Sequence, residues 1–324
     1  MKKFAAIVLA ALVAVALFAN GSTEEASSGF TPTKDVSWVC TSKPGGGSDI
    51  FTTQIKDAMK ANGITNANIV TDYITDGSGE VGRLQVATTN KAKADFTLLT
   101  FNSGDLMPMV KNTDNRVENF RPLAIMAVDK QLLFVGEQSK YSSWQEVMDA
   151  LKNGQKIVIA GSKGDDIETY NKLIAELGVP ESQLSYIAND ATSGAITSLL
   201  GGHVDLCMSK PAAAAQYVEA GKMKPILALS NNRFSSELLK DAPTLSEFGY
   251  NNVEVPVWRG VTAPKAMSDS AYAYWAECLK KASETAEFKA YLSKNGLEPM
   301  YLFGAEAEAY MLDYQKTYLA SIGK

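Results

Sequence analysis

Short apolar runs alternate with longer amphipathic stretches along almost the whole chain. The apolar runs predict strands at Val36–Cys40, Ile69–Ile74, Phe96–Thr100, Leu123–Val128, Leu132–Val135, Lys156–Ala160, Leu184–Ile187, Val204–Met208 and Pro225–Leu229. The amphipathic stretches predict helices at Ile50–Asn62, Glu80–Thr89, Trp144–Lys152, Ile167–Leu177, Ala191–Leu200 and Ala212–Ala220. Such alternation is typical of βαβ units, so we expect an α/β protein with mostly parallel sheets.

We predict two lobes joined by a hinge of two crossing strands, near residues 125–135 and 225–230. Lobe 1 then comprises residues 34–128 plus 230–324, and lobe 2 comprises residues 129–229. A long helix at Ser268–Asn295 and a last helix at Ala305–Ile322 would complete lobe 1. Because open α/β sheets bind ligands outside the carboxyl ends of their strands, we expect a ligand in a cleft that closes by hinge motion.

The first residues have the pattern of an export signal. Lys2 and Lys3 precede an uncharged run from Phe4 to Ala19, which is short for a membrane-spanning helix. We expect a signal peptide at residues 1–19 and a flexible leader at residues 20–33. No cysteine near that boundary could carry a lipid anchor, so we favour the periplasm of a bacterium with two membranes.

Charge and composition exclude several function classes. The formal net charge is −5, or −7 without Lys2 and Lys3, and no basic tract is present, so we expect no nucleic-acid partner. Cys40, Cys207 and Cys278 lie among apolar or small neighbours and are interpreted as buried thiols, with one disulfide as the alternative. The single histidine, His203 in a predicted turn, has no second histidine or Cys-x-x-Cys with which to form a zinc site. A Ser-His-Asp triad would have to rest on His203 alone, and the sequence has no Gly-x-Ser-x-Gly elbow. We therefore predict no catalytic residues, no metal and no cofactor.

The loop from Lys43 to Asp49 is the strongest candidate for chemistry. It follows the first predicted strand, contains Pro44, Gly45, Gly46, Gly47 and Ser48, and leads into a helix. Consecutive glycines let the backbone approach a ligand closely, and a helix N-terminus attracts anions. We expect Asp49 to cap the helix, Ser48 to add a hydroxyl and Lys43 to add a cation.

Four more strand-to-helix turns carry small polar residues. They lie at Asp76–Gly82, Thr100–Gly104, Ala160–Asp166 and Asn189–Gly194. Each could be only a cap or turn, but their recurrence in both lobes favours an anion site. The first also matches Gly-x-Gly-x-x-Gly, which would suggest a nucleotide-dependent oxidoreductase. The acidic residue that such a site needs at the end of the next strand is absent from the sequence, so this alternative is the weakest.

The ordered set of motifs resembles the substrate-binding proteins of tripartite tricarboxylate transporters, the Bug family. The resemblance runs from about Val36 to the last helix. Its marks are Pro44–Asp49, Asp76–Gly82, Thr97–Leu99, Leu199–Asp205, Tyr217–Lys222, Ala242–Gly249, Trp258–Val261 and Ala263-Pro264.

The resemblance implies a periplasmic-binding-protein fold and a monomeric receptor. It would capture a small di- or tricarboxylate and deliver it to a membrane permease of one large and one small subunit. Docking on a membrane sensor instead remains an alternative. The implied ligand-binding residues are Lys43, Pro44, Gly45, Gly46, Gly47, Ser48, Asp49, Ser78, Gly79, Glu80, Asn102, Ser103, Ser162, Lys163, Gly164, Asp165, Thr192 and Ser193. Lys43 resembles the branch associated with citrate and related tricarboxylates.

The chain departs from the family pattern in ways that leave the ligand open. Lys93–Phe96 replaces the usual Asp-Gly-Tyr, and Ile187–Ala191 replaces a Tyr-Lys-Gly-Ser-Gly segment. Asp165, Asp166 and Asp190 place carboxylates beside the expected anion site. They either point away as caps or contact an amino or amide group of the ligand.

Overall fold

The computed structural model describes residues 29–324. The predicted signal peptide (1–19) and most of the predicted leader (20–33) lie outside the described residues. At the end of that leader, Phe30 packs against Phe96 and Tyr274, with ring centroids 5.6 and 5.5 Å away. Among the described residues, none of the helices combines the length and apolar character needed to cross a membrane.

Two sheets organise the fold. The first has six strands, β1 (Val36–Cys40), β2 (Ile69–Tyr73), β3 (Thr97–Asn102), β4 (Phe120–Asp129), β10 (Val257–Pro264) and β11 (Glu298–Phe303), in the order β11-β4-β10-β3-β1-β2. The second has five strands, β5 (Gln131–Gly136), β6 (Ile157–Ser162), β7 (Leu184–Asn189), β8 (Leu206–Ser209) and β9 (Met223–Leu229), in the order β7-β6-β8-β5-β9. We call the parts built on them lobe 1 and lobe 2.

Helices cover both sheets. In lobe 1 they are α1 (Gly47–Ala61), α2 (Glu80–Ala87), α3 (Lys91–Ala94), α4 (Ser103–Asn112), α9 (Asp269–Glu284), α10 (Ala286–Lys294) and α11 (Ala305–Ser321). In lobe 2 they are α5 (Trp144–Lys152), α6 (Asp165–Leu177), α7 (Thr192–Leu200) and α8 (Pro211–Glu219). Single 3₁₀ turns occur at Val117–Asn119 and Leu245–Phe248. The central strands are buried on both faces, which is why they read as continuous apolar runs.

The predicted α/β class and the two lobes joined by two crossings are confirmed. The first crossing lies between β4 and β5 as predicted, whereas the second lies just before β10 and not near residues 225–230. Strands joined by a single helix pair in parallel, as β1 does with β2 and β6 does with β7. The strands next to the crossings pair antiparallel: β10 with β3 and β4, and β5 with β8 and β9. This follows because β10 and β5 enter their sheets from the other lobe, without a βαβ connection.

The lobe limits need one change. Phe234, Leu239 and Ala242 join a core cluster with Leu132 and Phe134 of lobe 2, and Leu245 and Val253 join the other lobe 2 cluster. Residues 234–253 therefore cover the lobe 2 sheet, although the predicted limit at residue 230 placed them in lobe 1. Their apolar side chains pack against the lobe 2 core beside β9. The chain then returns to lobe 1 as β10. The remaining limits stay a prediction.

Several elements differ from the sequence expectation. The single helix predicted at Ser268–Asn295 is two helices, because the Thr285 backbone is extended and its hydroxyl caps α10 by accepting from the Phe288 amide. Helices α3 and α4 and strands β10 and β11 were not predicted. Within the described part, all three cysteines are free and buried, as the thiol interpretation expected, and no disulfide is present. His203 is exposed in the turn before β8.

Candidate functional site

A cavity of about 320 Å³ lies between the two lobes, at the ends of β1, β3, β6 and β7. Ten of the residues proposed from the sequence line it: Gly46, Gly47, Ser48, Ser78, Asn102, Ser162, Lys163, Gly164, Asp165 and Thr192. The other eight lie outside its lining: Lys43, Pro44, Gly45, Asp49, Gly79, Glu80, Ser103 and Ser193. The sequence therefore predicted that polar turns of both lobes meet at one site. It did not distinguish the residues that line the cavity from those that lie behind the lining.

Helix N-termini converge on this cavity. The residues that precede α1, α6 and α7 are Gly46, Gly164 and Ala191, and all three line the wall. Within residues 29–324, no side chain caps the first turn of any of these three helices. By contrast, Ser143 and Ser268 cap α5 and α9, which lie elsewhere. Uncapped amides at a helix N-terminus carry partial positive charge, so this wall favours an anion.

Asp49 does not have its predicted role. Helix α1 begins at Gly47, with Gly46 as the residue before it, so Asp49 is the third helical residue. Its carboxylate accepts from the Gly45 amide (2.8 Å) and from the Tyr73 hydroxyl (2.6 Å). Asp49 therefore folds the glycine loop back onto the helix and leaves the amides of the first turn free of a side-chain cap. Helix α1 therefore starts at Gly47, three residues before the predicted start at Ile50.

A buried arginine lies directly against that loop. Arg259 on β10 is 2 % exposed, and its Nε and Nη2 both donate to Oδ2 of Asp129, the last residue of the neighbouring β4. Burial alone would lower the pKa of Arg259, but Asp129 outweighs it, so the guanidinium stays charged. Neither bond to Asp129 uses Nη1, and Arg259 lines the cavity. Nη1 of the guanidinium is therefore available to donate a hydrogen bond to an anion.

Gly47 is needed for this contact. A Cβ atom placed on Gly47 would lie 3.1 Å from Cζ of Arg259 and closer still to Nη2. No side chain larger than hydrogen fits there unless the guanidinium moves. The sequence reasoning assigned the glycine to ligand approach, and the structure adds the packing of Arg259 as a second reason for it.

Lobe 2 contributes a buried lysine between two carboxylates. Nζ of Lys210, which precedes α8, lies 2.5 Å from Asp165 and 2.5 Å from Asp166. Burial raises the pKa of Asp166 to about 6, although Lys210 opposes the shift. Burial would lower the pKa of Lys210, but the two carboxylates together raise it. Lys210 and Asp165 line the cavity, whereas Asp166 bonds back to the Ser162 amide at 2.8 Å.

A third polar group stands at the ends of β1 and β3. Asp105 accepts from the Thr41 hydroxyl (2.6 Å) and from Arg83 Nη1 (3.0 Å), and burial raises the pKa of this carboxyl. The Asn102 side chain bonds Ser48 Oγ (3.0 Å) and also accepts from the Asp105 amide (3.2 Å). Asn102 therefore has a structural role as cap of α4 while it lines the cavity.

The lobes touch each other at the mouth of the cavity. Asp190 of lobe 2 bonds Lys43 of lobe 1 at 2.8 Å and Lys163 of its own lobe at 2.6 Å. Hydrogen bonds from Lys163 and Lys43 lower the pKa of Asp190 to about 2. Nearby, the Ser193 hydroxyl donates to the carbonyl of Pro44 at 3.0 Å. Lys43 and Ser193 thus join the lobes and do not line the wall.

Sequence reasoning missed the two buried cations of the wall, Arg259 and Lys210. Arg259 stands in a segment that was recognised as a family mark but not as part of the site. Lys210 stands between a strand and a proline, a position that carries no distinctive signal. Within residues 29–324, no group of acidic, histidine and cysteine side chains could hold a metal ion.

Residues 68–318, which are most of the chain, match the family described as tripartite tricarboxylate transporter family receptor. The chain belongs to this family. The Bug resemblance drawn from the sequence is therefore confirmed, and the family and fold are those of substrate-binding proteins.

Relatives and solved structures agree with this family. A UPF0065 protein of Bordetella pertussis is 23% identical over 304 residues, covering 92% of this chain and 90% of that protein. The UPF0065 protein in the gbd 5' region of Cupriavidus necator is 29% identical over 171 residues, so the match spans 52% of this chain and 51% of that protein.

Two solved structures share the fold. The periplasmic binding protein BugD superposes with a TM-score of 0.77 at 22% identity, over 90% of this chain and 97% of that one. MatC from Rhodopseudomonas palustris, solved with bound malate, gives a TM-score of 0.74 at 18% identity, over 90% and 98%.

Proposed function

We propose that this protein is a periplasmic receptor that captures a small di- or tricarboxylate between its lobes and delivers it to a two-subunit membrane permease. Capture and hinge closure suffice for this role, and no chemical step is needed. The two crossings between the lobes, after β4 and just before β10, are where the hinge bends. The protein acts as a monomer in this proposal.

The observation that carries the proposal is the convergence of three uncapped helix N-termini with Arg259 on one cavity. Gly46 and Ala191, with the first residues of α1 and α7, line the cleft from opposite lobes. A ligand that bonds both must hold the lobes together. Bound malate in MatC, which shares the fold, supports a carboxylate as the ligand class.

The magnitudes agree with a receptor of micromolar affinity. A hydrogen bond to a charged group contributes about 1.5–3 kcal/mol, so four or five such bonds give roughly 8–12 kcal/mol before the costs of association. A dissociation constant of about 1 μM corresponds to about −8 kcal/mol. Free amides and one arginine edge can therefore supply the affinity without a cluster of unpaired cations.

Isothermal titration calorimetry against a panel of di- and tricarboxylates tests the proposal. The panel contains succinate, malate, glutarate, adipate and citrate together with amino dicarboxylates. Saturable binding of at least one member, with a matching rise in melting temperature, is the expected result. Neither heat nor a thermal shift with any member would contradict the proposal.

A further inference from the structure

A buried cluster at the lobe 2 wall of the cavity has two carboxylates for one ammonium group. Lys210 is shared by Asp165 and Asp166, so two carboxylates face a single ammonium group. All three side chains are buried, with exposed fractions of 5 %, 7 % and 0 %. The other cations of the wall are paired elsewhere, because Arg259 is bonded to Asp129 and Lys163 shares Asp190 with Lys43.

Asp165 is the carboxylate of this pair that reaches the ligand space. Asp166 makes its hydrogen bonds within lobe 2, where it accepts from the amide and hydroxyl of Ser162 and from Lys210. Asp165 lines the cavity, and its contacts to Lys210 and to Gln131 Nε2 (2.8 Å) both use Oδ2. Its other oxygen, Oδ1, faces lobe 1, where a Cβ on Gly104 would overlap it.

A second acceptor beside Asp165 also lacks a donor. The side chain of Gln131 is fully buried, and its amide nitrogen bonds Asp165. Its carbonyl oxygen, Oε1, has no hydrogen-bond partner within residues 29–324. A buried carbonyl without a donor is costly, and a carboxylate that outnumbers its cation attracts positive charge. Gln131 lies behind the lining of the cavity and holds Oδ2 of Asp165, so Asp165 Oδ1 is the acceptor left for a positively charged donor in the ligand space.

We infer that the ligand carries a protonated amino group beside its carboxylates, and that Asp165 is the residue that selects it. This inference rests on the proposed function. The uncapped amides of α1 and the free edge of Arg259 hold a carboxylate from lobe 1, and Asp165 Oδ1 accepts from the ammonium group from lobe 2. The wall thereby discriminates against a plain di- or tricarboxylate, whose charge is purely negative.

Two series of ligands that differ in one group test the inference on the unmodified protein. L-aspartate, L-malate and succinate share a skeleton but carry an amino group, a hydroxyl group or neither. L-glutamate, L-2-hydroxyglutarate and glutarate form the same series with one more methylene. We expect the amino member of at least one series to bind at least about tenfold more tightly than its hydroxyl and unsubstituted counterparts.

Asp165→Asn identifies the residue responsible. It removes one negative charge and keeps the size of the side chain, and Gln131 and Lys210 can still bond its amide oxygen. We expect the variant to lose the preference, with weaker binding of the amino ligand and unchanged or tighter binding of the hydroxyl ligand. Asp149→Asn, an exposed residue on α5 of the same lobe, is the matched control and should leave all affinities unchanged.

The outcomes separate this inference from the proposed function. Equal or tighter binding of the hydroxyl or unsubstituted acid in both series overturns the inference and leaves the carboxylate receptor standing. An amino preference that Asp165→Asn retains overturns the role of Asp165. Binding of no carboxylate in the whole panel overturns both. If Asp165→Asn does not fold, the two series measured on the unmodified protein still decide the ligand class.

Discussion

Gly47 and Arg259 are in direct contact across lobe 1, although they are more than two hundred residues apart in sequence. The glycine opens α1 and the arginine lies on β10, with the guanidinium against the first turn of the helix. Two positively polarised groups, a helix N-terminus and a guanidinium, thus face one cavity. An anion bound between them reduces their electrostatic repulsion. Without a ligand, the bond to Asp129 holds the Arg259 guanidinium in position.

Gly47→Ala tests this contact. Alanine is favourable in a helix, so helix α1 itself should not suffer. The added Cβ displaces the guanidinium, and we expect carboxylate affinity to fall by at least about tenfold, since one charged hydrogen bond is lost. Calorimetry with the tightest ligand of the panel measures it. Gly29→Ala, where a Cβ would meet nothing within 4 Å, is the control. Unchanged affinity in Gly47→Ala would show that the contact does not position Arg259.

Arg259→Lys separates charge from geometry. Lysine keeps the positive charge beside Asp129 but has no planar fork that could bond Asp129 and a ligand at once. We expect affinity to fall about ten- to hundredfold, equivalent to about 1.5–3 kcal/mol. The same change at Arg233, an exposed residue paired with Glu247, should leave affinity unchanged. Equal affinities for Arg259→Lys and the unmodified protein would remove Arg259 from the site.

Lys43→Ala is expected to have a small effect. The sequence placed Lys43 among the ligand contacts, but its ammonium bonds Asp190 and it does not line the cavity. Both groups are largely exposed, and exposed ion pairs contribute little. We expect the dissociation constant to change by less than about threefold. A much larger loss, measured in the same calorimetry, would restore Lys43 as a ligand contact.

The raised pKa of Asp166 predicts that the stability of the protein depends on pH. Its folded pKa is about 6, raised by burial above the ordinary value of 3.8. The folded protein therefore binds more protons at this site than the unfolded chain between about pH 4 and 6, so the contribution of Asp166 to stability falls as pH rises through that window. Lys210, Asp165 and Ser162 surround the group.

Urea unfolding from pH 4 to pH 7 measures this effect. Most carboxylates give the opposite slope, so the quantity to follow is the difference in unfolding free energy between the protein and Asp166→Asn. As pH rises from about 4 to 6, we expect the unfolding free energy of the unmodified protein to fall relative to that of Asp166→Asn. Above that range the difference should level off. A difference that does not change with pH would contradict the raised pKa.

The sequence predicted the elements well where the pattern is local. Strand Val36–Cys40 and helix Trp144–Lys152 have the bounds that the sequence indicated. The polar turns of both lobes do meet at the cavity, because they follow β1, β2, β3, β6 and β7. Strand β10 was missed because Arg259, Gly260 and Pro264 interrupt its apolar pattern. It is nevertheless buried throughout, since it lies between β3 and β4.

The electrostatics of the site could not be predicted in the same way. Asp129 and Arg259 are 130 residues apart, and Asp166 and Lys210 are 44 residues apart. Each pair depends on which strands become neighbours in a sheet, and no local pattern records that. For the same reason the eight residues outside the cavity lining could not be told from the ten within it, because both sets share the composition of turns and caps.

A crystal structure with the tightest ligand of the panel tests the central claim most directly. We predict a carboxylate bonded by the first amides of α1 and by Nη1 of Arg259, with the rest of the ligand held by lobe 2. A ligand bound on an outer surface, or in the cleft with Arg259 and the first turn of α1 unbonded, would contradict the account.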